Sequence, residues 1–71
     1  MMKNVKVLEI LNEGPKTIEE IAEATGIKAM EIRRYLLRFA EQGKVESYQK
    51  NGKLFWKIKE KSEEEEEFKY V

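Results

Sequence analysis

Cysteine, histidine and aspartate are all absent from this 71-residue chain, and proline occurs once. Without cysteine there are no disulfides and no thiolate nucleophile, and without histidine there is no imidazole acid–base group; together the two absences remove the usual zinc ligands. Every one of the fourteen acids is glutamate. A catalytic carboxylate site would need two of them on a shared apolar background, and no such pair stands out. The expectation is a protein that is not an enzyme and holds no metal and no cofactor. No apolar run approaches the roughly 18 residues of a membrane span, and the start MMKNVKV lacks a signal peptide's hydrophobic region. A cytoplasmic protein with no membrane partner is therefore expected. The length allows one domain with a single three-helix or helix-plus-hairpin core, and no room for a cleft between two lobes.

The formal net charge of zero hides an uneven distribution. Residues 1–27 carry three lysines and five glutamates, net −2, whereas residues 28–59 carry nine Lys+Arg and three glutamates, net +6. Residues 62–71, SEEEEEFKYV, return −4. A basic second half is balanced largely by an acidic end, and the excess of Lys and Glu leans toward a thermophile's composition.

One strong helical pattern runs from Lys28 to Gln42, KAMEIRRYLLRFAEQ. At about 100° per residue, Ile32, Leu36, Phe39, Tyr35, Ala29 and Ala40 form one stripe suited to a core. Met30, Arg33, Arg34, Leu37, Arg38 and Glu41 occupy the opposite arc. Alone, such a face reads as a solvated amphipathic helix. It would also suit a DNA groove, because guanidinium groups serve both phosphates and guanine edges, but only the flanking segments can favour that reading.

The flanking segments decide how the helix is read. Residues 4–12, NVKVLEILN, place Val7, Leu8 and Leu11 at helical spacing, with Val5 and Ile10 at the margins, and Gly14-Pro15 ends that helix. Lys16 is expected as a short extended bridge. Thr17 then opens a second helix with TIEE, a capping box closed by Glu20, and Ile18, Ile21 and Ala22 supply its apolar face. Thr25-Gly26-Ile27 interrupts it after about two turns. A short helix, a tight turn and a longer basic helix form the helix-turn-helix order rather than a plain helical hairpin.

Beyond Gly43 the period changes from 3.6 to 2. Asn51-Gly52 predicts a type I′ hairpin turn between residues 45–50 and 53–59. The register then pairs Lys50 with Lys53, Gln49 with Leu54, Tyr48 with Phe55, Ser47 with Trp56, Glu46 with Lys57 and Val45 with Ile58. Val45, Leu54, Trp56 and Ile58 are assigned to the core. Tyr48 and Phe55 face outward, either stiffening the hairpin or offering a stack for single-stranded bases. The domain is read as residues 1–61, and the five-glutamate run of 62–71 as a frayed helix or disordered tail. That tail either folds back on the basic face as a phosphate mimic or simply aids solubility.

In this order the elements resemble the winged helix-turn-helix domains of archaeal and bacterial transcription regulators. The resemblance spans roughly residues 5–59, and TIEEIAEATGI and LLRFAEQGKVE…GKLFWKIK carry it most clearly. It implies an α+β fold of three helices and a two-stranded wing, and a DNA-binding function in transcription regulation. By position it puts groove contacts on Ala29, Met30, Arg33 and Arg34, phosphate contacts on Lys28 and Arg38, and wing contacts on Lys50, Asn51 and Lys53. Partners implied are double-stranded DNA and a second copy reading a second half-site. The alternative is a winged helix that binds protein through Met30, Leu37 or the tail's Phe68, Tyr70 and Val71, since fold does not fix function. A narrower likeness, GKVESYQKNGKLFWKIK, is to winged helices that bind left-handed DNA. Those place asparagine at Arg33 and tyrosine at Leu37 and carry prolines in the wing, and here strand alternation assigns Trp56 to the core.

Overall fold

A computed structural model describes residues 3–60. Its order is α1 (Lys3–Leu11), α2 (Ile18–Thr25), α3 (Ala29–Glu41), β1 (Val45–Lys50) and β2 (Lys53–Ile58). Three helices followed by an antiparallel hairpin make a winged helix-turn-helix. The region expected as an acidic tail, residues 62–71, lies outside the described residues.

Local chemistry sets each boundary. At the start of α2 the Thr17 hydroxyl accepts from the Glu20 amide at 3.1 Å, and the Glu20 carboxylate accepts from the Thr17 amide at 2.9 Å. Two otherwise orphaned amides are satisfied by that box. The helix ends at Gly26, whose φ of 77° is left-handed and suits glycine best. The Gly26 amide donates to the Ala22 carbonyl at 2.8 Å. Thr25 completes the turn, its hydroxyl donating to the Ile21 carbonyl at 2.7 Å and accepting from the Ile27 amide at 3.2 Å. This swings Ile27 inward, where it is 6% exposed between the two helices.

The third helix closes with paired bonds, from the Gly43 amide to the Ala40 carbonyl at 3.0 Å and from the Lys44 amide to the Phe39 carbonyl at 2.9 Å. That pattern is a Schellman cap, which reverses the chain into β1. Lys28 and Gln42 flank α3 as its cap residues rather than as its first and last turns.

The hairpin has the expected register throughout, from Val45 opposite Ile58 to Lys50 opposite Lys53. Its turn residues Asn51 and Gly52 have φ of 53° and 78°, the double positive that a type I′ turn requires. Lys16 adds a bridge on the other side of β2. Its amide donates to the Trp56 carbonyl at 3.0 Å, and the Trp56 amide donates back at 2.8 Å.

One core unites these elements: Val7, Leu11, Ile21, Ile27, Ile32, Leu36, Phe39, Val45 and Trp56. Leu8, Ile10, Ile18, Ala22, Tyr35 and Ile58 pack around it. Three core assignments need correction. Leu54 shares the inward face of β2 yet is 43% exposed, because it lies toward the hairpin tip and only lines a shallow groove with Thr17, Ile18 and Trp56. Ala29 and Ala40 are exposed as well. Ala29 is the first residue of α3 and Ala40 lies near its end and at the stripe's margin, and their small side chains do not reach the core.

Adjacent leucines of α3 test the layering. Leu36→Ala, from a site with no exposed surface, is expected to lower unfolding free energy by about 2–5 kcal/mol. Leu37→Ala, at 49% exposure, should stay within about 0.5 kcal/mol. Urea denaturation of the two variants measures the contrast.

Candidate nucleic-acid interface

Because Ile32, Leu36 and Phe39 are drawn into the core, the arc of α3 opposite them faces outward. Met30, at 76%, and Leu37 are exposed large hydrophobic residues, and Arg33, Arg34 and Arg38 are exposed beside them. Lys28 and Ala29 are exposed at the helix start. Lys50, Asn51 and Lys53 are exposed at the hairpin tip. All nine residues expected to contact DNA are therefore solvent-facing, six along α3 and its leading edge and three on the wing.

The acids near this surface are partly occupied. Glu31, the acid in the first turn of α3, pairs with Lys3 of α1 at 3.3 Å. Glu46, on the outer face of β1, lies 3.8 Å from Lys57 across the hairpin. Neither pair involves Lys28, Arg33, Arg34, Arg38, Lys50 or Lys53, so among the described residues these cations have no carboxylate within ion-pair distance. The Lys3–Glu31 pair had no signal in the sequence, since its members are 28 positions apart and meet only when α1 packs near the start of α3. At the wing tip Lys50 and Lys53 are register partners, a like-charge opposition that is unfavourable in an isolated hairpin and relieved by an anion.

Two aromatic features divide between outside and inside. Tyr48 and Phe55 stack across the strands with ring centroids 5.6 Å apart and planes at 14°. Trp56 is only 6% exposed, and its buried indole N–H has no hydrogen-bond partner among the described residues. Burial takes its ring out of reach of a surface ligand. No three histidine, cysteine, aspartate or glutamate side chains gather as metal ligands among the described residues, and none of the described helices is long and apolar enough to cross a membrane. Tyr48→Ala should destabilise the hairpin by about 0.5–1.5 kcal/mol, read as a loss of amide-exchange protection along β1 and β2 that exceeds the loss in α1.

The fold has counterparts among solved structures. A homodimeric winged helix-turn-helix DNA-binding domain from Mycobacterium bovis, of a possible ArsR-family transcriptional regulator, is 25% identical, with a TM-score of 0.72. The match covers 78% of this chain and 51% of that one, so the chain spans about half the length of that protein. Lactococcus lactis ZitR, solved in complex with DNA, is 23% identical with a TM-score of 0.72, over 87% of this chain and 45% of its own. The Zalpha domain of Carassius auratus PKZ, solved with Z-DNA, is 18% identical with a TM-score of 0.68, over 78% of this chain and 89% of its own. The last two likenesses speak for the fold. No curated protein matches the chain. One family model does match, over residues 2–60, which takes in all three helices and both strands, and the chain thus belongs to the family of FaeA-like proteins, built on a winged helix-turn-helix.

Proposed function

We propose that this protein is a DNA-binding transcription regulator that sets α3 in the major groove and rests the β1–β2 wing on the neighbouring backbone. The observation that carries the reading is the outward face of α3, where Arg33, Arg34 and Arg38 stand exposed with no ion-pair partner among the described residues. Arg33 and Arg34 supply contacts to base edges and phosphates, while Lys28, Arg38, Lys50 and Lys53 neutralise the backbone and Asn51 approaches it at the wing tip. The DNA-binding domain from Mycobacterium bovis supports the same reading.

A helix of 13 residues is about 20 Å long, a small footprint for one copy. Two copies on two half-sites follow from that size, and the homodimeric state of the Mycobacterium bovis domain supports such an arrangement. A second reading, docking of a protein, draws on the exposure of Met30 and Leu37.

Duplex binding by the full chain across a salt series separates them. Log affinity is expected to fall linearly with log salt, and Arg33→Ala with Arg34→Ala should flatten that slope by about one for each phosphate contact removed. Binding that is absent at low salt, or unchanged in the double variant, contradicts the DNA reading of α3.

A further inference from the structure

The exposed face of α3 has an internal order that the arginines alone do not explain. At about 100° per residue, Met30 and Leu37 fall within about 20° of one another on the helix surface. Arg33 lies on one side of that line, and Arg34 and Arg38 lie on the other. The line itself points roughly opposite the buried Ile32 and Phe39. An apolar centre is thus flanked by cations, and Glu41, exposed at the last position of α3, continues the same line one turn beyond Leu37.

That layout matches the cross-section of a major groove. Its two walls are phosphate backbones and its floor is base edges, so a helix lying along it turns its central line to the bases and its flanks to phosphate. The only apolar group that base edges offer there is the C5-methyl of thymine. We propose that Met30 and Leu37 read thymine methyls, so that the target carries A·T pairs under the centre of α3; this rests on the DNA-binding reading above. The two side chains are separated by seven residues of helix, about 10 Å of rise, or about three base-pair steps at 3.4 Å each.

Three further observations favour bases over a protein as the occupant. The flanking guanidinium groups give the face a charge complementary to DNA. Glu31, the acid in the first helical turn, is held by Lys3 of α1. Met30 is 76% exposed and unbranched, so it can follow a methyl group's position without disturbing the core.

The test uses a duplex that the wild-type chain enriches from a random pool, synthesised once with thymine and once with uracil at every T position. The exchange deletes the methyl and leaves all hydrogen-bonding groups in place. Wild-type protein should bind the uracil duplex about three- to five-fold more weakly for each methyl contacted. Met30→Ala should weaken the thymine duplex by a similar factor and shrink the thymine-to-uracil ratio, as coupled partners do in a double-mutant cycle. Arg34→Ala should weaken both duplexes and keep the ratio. Equal affinity for both duplexes, or enrichment of no sequence at all while salt-dependent binding persists, overturns methyl reading and leaves DNA binding standing. Failure to bind any duplex at low salt removes both and transfers Met30 and Leu37 to a protein interface.

Discussion

Packing of Ile32, Leu36 and Phe39 against the first two helices and the start of the hairpin is the constraint on which the rest of this structure depends. A helix has one surface to bury and one to show. With those three side chains inside, Arg33, Arg34 and Arg38 have no route except outward. Thr25, Gly26 and Ile27 fix where α3 begins, and the Schellman cap at Gly43 fixes how the chain leaves it. The wing is then anchored beside the helices through Trp56, whose backbone bridges to Lys16 while its ring closes the core.

The charge pattern follows from the same packing. Of the nine Lys and Arg side chains of residues 28–59, Lys28, Arg33, Arg34, Arg38, Lys50 and Lys53 stand exposed on α3, its leading edge and the wing tip, with no ion-pair partner among the described residues. Like charges gathered on one small surface repel each other, and the opposition of Lys50 and Lys53 across the hairpin shows that this chain tolerates the cost. A polyanion would relieve it, and with DNA as the proposed ligand the release of counterions would supply a further driving force that weakens as salt rises. A core this small leaves few kcal/mol to spare, and the exposed cations occupy positions where substitution barely touches that margin.

Much of the fold was legible because the informative signals were local. The TIEE capping box, the glycine after Thr25, the Asn-Gly turn and the change of period at Gly43 each act within a few residues, and each produced its element in register. What escaped reading was set by the ends of elements and by distance. Alternation placed Leu54 on the inward face correctly, but nothing in it says how far along the hairpin the helical layer extends. A helical projection likewise assigned Ala29 and Ala40 to the stripe without knowing that side chains so short, near the ends of α3, fall outside the core. The Lys3–Glu31 pair depends on the packing of α1 near α3. The outward arc itself was legible from the sequence, and the structure adds that Met30 is the most open of the exposed large hydrophobic residues among those described.

Amide chemical-shift mapping of the full chain during titration with duplex DNA tests the central claim most directly, because it asks which surface the ligand touches. The account predicts that the largest changes fall on Met30, Arg33, Arg34 and Leu37 of α3 and on Lys50, Asn51 and Lys53 of the wing. Residues of α1 from Val5 to Glu9 should stay nearly still. Changes concentrated on α1 or on the groove lined by Ile18 and Leu54, with α3 unmoved, would contradict it.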